Sequence, residues 1–218
     1  MKYNTILFDL DGTLTDSRPG ITKSAVYALE SFGFTDLNPD ELNFFIGPPL
    51  LDTFMQHYGF KEEKAHKAIA KFRERYNVTG VFENSAYEGI HEELRKLKEA
   101  GMTLAIATSK PHDIMLRVIE RYELAPFFTA VEGSKVDDTG YRKSQILKEV
   151  FEDLHTTDLS KVLMVGDRFH DIEAANDCGI DSMGVLYGYG SREELESYHA
   201  TYITENVSGL AKEILTCE

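Results

Sequence analysis

Residues 3–8 run apolar and stop at Asp9-Leu10-Asp11-Gly12-Thr13, the pattern of a short buried strand ended by a glycine turn. The period then changes. Ile21, Ala25, Leu29 and Phe32 share one helical face, with Gly33 as the stop. Asn38-Pro39-Asp40-Glu41 has the chemistry of a helix start: an Asn cap, Pro at the first helical position, then acids favoured by the helix dipole. Gly47-Pro48-Pro49 breaks the chain. Leu51, Phe54, Met55 and Tyr58 trace the next apolar face, closed by Gly59, and Ala65, Ile69, Phe72 and Tyr76 another, closed by Gly80. From Pro19 to Val81 the pattern predicts helices only.

After Ser85 the two periods alternate. Ile90, Leu94 and Leu97 define a helix ended by Gly101, and residues 103–107 read as a strand. Pro111 opens a helix running to Tyr122, and Ala130-Val131 is a strand. A helix over 144–154, a strand over 162–165, a helix over 171–178, a strand over 182–186 and a helix over 192–197 follow. Tyr202-Ile203 gives a last short strand, with a final helix around 207–215. Strands alternating with helices predict an α/β fold built on a doubly wound parallel sheet. The all-helical stretch is then an insertion after the first strand. The expected division is a sheet domain from 1–15 and 85–218, with a helical domain from 16–84.

Composition narrows the function. The 218 residues carry 23 Lys+Arg against 37 Asp+Glu, a formal net charge of −14. Such a surface repels polynucleotides and anionic membranes over a Debye length of about 8 Å. No apolar run approaches the roughly 18 residues of a membrane span. Met1-Lys2-Tyr3-Asn4 leads directly into the first strand, so no signal peptide is expected, and Cys178 and Cys217 read as free thiols. A cytoplasmic protein is expected, monomeric by default with a dimer left open.

In a doubly wound sheet, ligands bind at the carboxyl ends of the strands. There the sequence places Asp9 and Asp11, Thr108-Ser109-Lys110, Gly166-Asp167 with Asp171 opening the next helix, and Gly188-Tyr189-Gly190. Four crowded aspartates would raise one another's pKa values, and a divalent cation removes the conflict. With oxygen ligands and no paired His or Cys, Mg²⁺ suits the set, and substrate phosphate would complete it against Thr108 and backbone N–H groups.

Asp9-Leu10-Asp11-Gly12-Thr13-Leu14-Thr15-Asp16 resembles the first motif of the haloacid dehalogenase superfamily of phosphotransferases. Thr108 resembles its second motif, and Gly166-Asp167-Arg168-Phe169-His170-Asp171 its fourth. The inserted helices resemble that family's helical cap on a Rossmann-like core. Phe45-Ile46-Gly47-Pro48-Pro49-Leu50 is similar to the cap's specificity loop in the phosphoglycolate phosphatase and 5′-nucleotidase-like branch, and residues 184–190 are typical of the same branch. The third motif departs from the common Lys-Pro pattern. Lys143 stands in Tyr141-Arg142-Lys143-Ser144, and Arg142 and Lys135 leave its assignment open.

The resemblance implies a Mg²⁺-dependent phosphatase for small phosphorylated metabolites, phosphoglycolate phosphatase-like. Asp9 would be the nucleophile that forms an aspartyl-phosphate, and Asp11 the acid and then the base. Thr108 and Lys143 would hold the phosphoryl oxygens. Gly12, Ser109 and Gly47 would contact substrate, and Asp9, Asp11 (through its carbonyl), Asp167 and Asp171 would hold the metal. A 5′-nucleotidase is the first alternative, for which Tyr189, Phe45 and Phe54 permit an aromatic cleft. A sugar-phosphate mutase keeps both first-motif aspartates, whereas Asp11 disfavours a dehalogenase. A phospho-accepting receiver module shares the acids, Thr and Lys but is shorter and lacks a helical insertion.

Blander readings stand beside these. Asp9 and Asp11 can cap a turn, Asp171 can cap its helix, Lys143 can be a solvated helix-start lysine, and Arg168 can point to solvent. His170 and His112 read as structural or surface residues, and the aromatic stripes of the insertion as its own core.

Overall fold

The computed structural model describes residues 1–135 and 142–217. In chain order the first half runs β1 (Thr5–Phe8), β2 (Thr15–Asp16), α1 (Arg18–Glu30), α2 (Leu50–Tyr58), α3 (Glu62–Tyr76) and β3 (Ser85–Ala86). The second half runs α4 (Ile90–Glu99), β4 (Thr103–Pro111), α5 (His112–Arg121), β5 (Ala130–Ser134), α6 (Lys143–Asp153), β6 (Val162–Gly166), α7 (Phe169–Cys178), β7 (Asp181–Val185), α8 (Arg192–Ser197), β8 (Tyr202–Thr204) and α9 (Leu210–Thr216).

β1 is buried throughout and sits between β4 and β6, with Phe8 in register with Ile106 and Val165. The sheet order is β5-β4-β1-β6-β7-β8 and every pairing is parallel. Successive side chains on a strand face opposite ways, and both faces of this sheet are covered. Ile6, Phe8, Leu104, Ile106, Leu163 and Val165 pack with the apolar sides of α4, α5 and α9. Leu7, Ala105, Ala107 and Met164 pack with Ile146, Leu147, Val150, Ala174 and Ala175 of α6 and α7. The order reverses direction at β1, so the open crevice lies at its carboxyl end, where Asp9 begins.

The predicted elements recur with instructive shifts. The helix expected after Asn38 is only a single turn, Pro39–Glu41, followed by another, Asn43–Phe45. The cap itself forms, since Asn38 Oδ1 accepts from Asp40 N at 3.1 Å. Only eight residues then separate it from Gly47, already left-handed at φ +101°, so no longer helix fits before Pro48 and Pro49. α3 stops at Tyr76 because Gly80 belongs to the next turn, Gly80–Phe82. α7 starts at Phe169, which moves Asp171 from the expected helix opening to the third helical position.

α1, α2 and α3 pack on one another around an aromatic cluster. Phe54 is fully buried, with its ring 5.0 Å from Phe45 and 5.9 Å from Phe60. The chain leaves and re-enters the sheet region through β2 and β3, an antiparallel ladder with two rungs, Thr15↔Ala86 and Asp16↔Ser85. Two residues are too few for a period-2 pattern, so nothing in the hydropathy announced it. Tyr189 ties this crossing to the sheet: its hydroxyl donates to Asp16 Oδ1 (2.8 Å) and accepts from Ser17 N (2.9 Å) and Arg18 N (3.1 Å). Among the described residues no helix is long and apolar enough to cross a membrane. Cys178 and Cys217 are free thiols.

Tyr189→Phe removes the acceptor of the Ser17 amide and one of the two acceptors of the Arg18 amide, which keeps Asp16 Oδ1 at 3.1 Å. It should lower folding stability by about 1–2 kcal/mol, measurable as a reduced urea midpoint with unchanged slope.

Candidate active site

Asp9 continues the β1 ladder by donating its N–H to Val165 O at 2.9 Å, and so emerges at the crevice. Asp167 follows directly from β6, and Asp171 turns back from the first turn of α7 with its Oδ2 accepting from Arg168 N at 3.0 Å. Carboxylate oxygens of Asp9, Asp167 and Asp171 lie within 4.8 Å of one another, and all three residues are buried. Burial, then the charges of Asp171 and Asp9, hold the Asp167 carboxyl well above the usual range. Burial likewise pushes Asp171 up to about 6 despite Lys143 beside it.

Lys143, the first residue of α6, reaches this cluster. Its Nζ stands 2.7 Å from Asp9 Oδ1 and pairs also with Asp171 Oδ1. Burial opposes its charged form, but Asp171 and Asp9 outweigh that and raise its pKa. The alternatives are placed elsewhere: Lys135 pairs with Glu132 (3.3 Å) and Glu149 (2.9 Å), and Arg142 is exposed. Tyr141 of the same motif lies outside the described residues.

One ammonium among three buried carboxyl groups leaves the cluster short of positive charge. The donors are oxygens alone, as a hard divalent cation prefers. Asp167 is fixed for that task by Tyr189 N (2.8 Å to Oδ2) and Thr13 Oγ1 (3.4 Å to Oδ1). The backbone closes tightly on it. A Cβ on Gly12, at φ +89°, would fall 2.2 Å from Asp167 Oδ2, and one on Gly188 would fall 2.3 Å from Asp167 Cβ. The three acids therefore fit a divalent cation.

Asp11 belongs to a neighbouring arrangement. Its carboxylate lies outside the three-acid cluster and is held by Lys110 Nζ, at 2.9 Å to Oδ1 and 2.7 Å to Oδ2. Thr108, Ser109 and Lys110 come from the end of β4, where the ladder with β5 slips between Thr108 and Pro111. Thr108 and Lys110, two apart, are both buried, while Ser109 between them is exposed.

A cavity of about 190 Å³ joins these groups to the inserted helices. Asp9, Asp11, Thr108, Ser109, Lys143 and Asp171 line it from the sheet, and Phe45, Gly47, Leu50, Phe72 and Tyr76 from the insertion. Most of the expected site residues are thus brought to one cavity. Gly12 is an exception: it is expected at the substrate but backs onto Asp167, and its N–H is taken by Thr15 O at 2.7 Å. Asp167 sits behind the cavity wall, in the three-acid cluster.

Arg168 and His170 depart from the blander readings given above, while His112 keeps its own. Arg168 is turned inward, donating from Nη1 to Ile46 O (2.8 Å) and from Nε to Glu194 Oε1 (2.8 Å), so it clasps the insertion to the sheet. His170 lines the cavity, where burial and Lys143 push its pKa down to about 4. His112 is structural, 3.6 Å from Glu132. Of the three aromatic residues considered for a base, only Phe45 faces the cavity. Tyr189 is engaged at the chain crossing, and Phe54 in the insertion's core. Lys110 is expected only as a strand-end cation that offsets the acidic surface, and Tyr76 only as part of an apolar face; the pairing of the two on Asp11 is not. The spacing of Lys110 from Thr108 places it on the same strand face, a usable signal, but nothing in its stripe marks Tyr76 as more than core.

Residues 6–185 match the model of the family described as haloacid dehalogenase-like hydrolase. The chain is 40% identical to a 5′-nucleotidase of Pseudomonas aeruginosa, over 96% of this chain and 95% of that one. It is 34% identical to the tyrosine-protein kinase PtkA of Mycobacterium tuberculosis, over 91% of this chain and 67% of that one. A crystal structure of a predicted phosphatase from Clostridium acetobutylicum superposes with a TM-score of 0.94 at 41% identity, covering 100% of both chains.

Asp167→Asn replaces the carboxyl whose charged form burial, Asp171 and Asp9 already disfavour, while keeping its shape. The metal-free variant should be more stable than the parent by about 1–2 kcal/mol, and calorimetry should show it binding divalent cations far more weakly. The raised pKa of Asp171 means the folded state keeps that proton to higher pH than the unfolded chain. Metal-free stability should therefore fall as pH rises from about 4 to about 6. Thermal midpoints across that window should lose this component in Asp171→Asn.

Proposed function

The chain belongs to the haloacid dehalogenase-like hydrolase family, and from that premise we propose a Mg²⁺-dependent phosphatase that cleaves small phosphomonoesters through a phosphorylated Asp9. The observation that carries this reading is the cavity wall itself. A lysine-held Asp9 and Asp11 two residues on with its own lysine face one cavity together with Asp171, and Asp167, the third acid of the cluster, lies behind its wall.

Asp9 attacks phosphorus as an ionised carboxylate, held in line by Lys143 Nζ. The new Asp9 O–P bond forms as the ester P–O bond breaks, and the departing oxygen takes a proton from Asp11. Asp11, now a carboxylate, removes a proton from water, whose oxygen attacks phosphorus and breaks the Asp9 O–P bond to release phosphate. Thr108 Oγ1 and Lys143 Nζ steady the phosphoryl oxygens through both steps. The chemistry Mg²⁺ supplies, when held by Asp9, Asp167, Asp171 and the Asp11 carbonyl, is neutralisation of phosphoryl charge.

Residues 16–84 serve as a cap in this reading. They roof the cavity with Phe45, Gly47, Leu50, Phe72 and Tyr76, and Arg168 fastens the roof through Ile46 O at 2.8 Å. A roof excludes bulk water and admits a small ester more readily than a folded protein's tyrosine. The leading substrate class is a small phosphorylated metabolite of the phosphoglycolate kind. A nucleoside 5′-monophosphate is the second reading, favoured by the apolar wall of Ile21, Phe45, Leu50, Phe72 and Ile114, which a nucleoside would cover and glycolate would not.

Phosphate release screened across phosphorylated metabolites with Mg²⁺ should identify a short list of small esters. Asp9→Asn should lose at least about 10³-fold in kcat, and a chelator should abolish turnover reversibly. Full activity in Asp9→Asn, or turnover indifferent to chelation, sinks the reading.

A further inference from the structure

Lys110 is buried, 7% exposed as a residue, yet it belongs to neither the three-acid cluster nor the apolar core. Its ammonium has three protons to donate. Two contacts go to Asp11, at 2.9 and 2.7 Å, and the third to the Tyr76 hydroxyl at 2.7 Å. Tyr76 is the last residue of α3, in the insertion, and its ring stacks on Phe72 at 5.2 Å. The ammonium is therefore oriented by two parts of the chain that meet only when the inserted helices lie over the sheet.

A buried ion pair is a poor source of stability, because desolvation offsets most of its attraction. Here the pair lies in the cavity wall, on the carboxylate that faces the departing oxygen in the proposed reaction. Lys143 does the equivalent for Asp9 from within the sheet region alone. Only the lysine of Asp11 is completed by a residue of the insertion.

We infer that Lys110 and Tyr76 are positioning residues that aim the Asp11 carboxyl group, protonated for the first step, at the ester oxygen when the inserted helices are seated. This rests on the reading of Asp11 as proton donor. Because Lys110 touches both Asp11 oxygens, it can keep hold of one while the other carries the proton to the substrate. Unseating α3 withdraws the Tyr76 hydroxyl, leaves the ammonium free to turn, and lets Asp11 swing with it. Proton delivery is thereby tied to a covered cavity.

The test compares two esters on the Mg²⁺-loaded protein: an alkyl phosphomonoester from the screen, whose leaving oxygen needs a proton, and p-nitrophenyl phosphate, whose leaving group does not. Pre-steady-state release of the leaving group reads the first step alone. Tyr76→Phe should slow release from the alkyl ester about tenfold while p-nitrophenolate release changes less than about twofold, a pattern confined to the proton-requiring step. Lys110→Met should show the same pattern more strongly, about 10²-fold or more, and Lys110→Arg should recover part of it. KM should hardly move in Tyr76→Phe. Equal slowing on both esters, or no slowing in Tyr76→Phe, overturns the inference. Asp11→Asn runs alongside: if it fails to distinguish the esters, the reading of Asp11 itself falls, and the inference with it.

Discussion

Three carboxylates crowded into a buried pocket repel one another, and much of the site's architecture either sustains or relieves that repulsion. Asp9, Asp167 and Asp171 arrive from two adjacent parallel strands and a following helix, and all three are buried. Left alone, such a cluster disfavours its own charged form, as the raised pKa values of Asp167 and Asp171 show. Lys143 relieves part of it, and a divalent cation held there would relieve the remainder. Stability is given up locally so that binding and chemistry can draw on the imbalance.

The surroundings follow from the need to hold these acids close. The crevice exists because the strand order reverses at β1, which brings residues far apart in sequence to neighbouring strand ends. Gly12 and Gly188 let backbone press against Asp167 where any Cβ would displace it. The slip in the β4–β5 ladder lies where Thr108 and Lys110 meet the cavity, in keeping with irregular strand ends at sites that must aim side chains. Charge is matched twice over, Lys143 against Asp9 and Lys110 against Asp11, so two carboxylates separated by one residue are held by different lysines.

Much of this was legible in the residues. Apolar runs of four or five residues between helical stripes give the parallel sheet, and Asp9, Asp11, Thr108 and Asp167 stand at strand ends where crevice chemistry belongs. The features that escaped share a physical cause. Tyr76 has the hydropathy and spacing of a core residue, and only its hydroxyl, at the end of an otherwise packed ring, marks it as different. Arg168 has a long side chain whose direction depends on a carbonyl 122 residues away. The β2–β3 ladder is too short to repeat any period, and the turns after Asn38 are helical chemistry curtailed by Gly47. Gly12 stands beside two aspartates in the sequence, and only the fold shows that its conformation serves the packing of Asp167.

The two-rung ladder between β2 and β3 brings the points of departure and return of a long intervening segment side by side. Whatever lies between them closes a loop whose ends are already joined, and the entropic cost of such closure grows only slowly with length. The helices could thus be lengthened, trimmed or exchanged for another fold while the sheet kept its strand order and acids. A lineage built this way can vary which molecules it admits without reinventing how it breaks them.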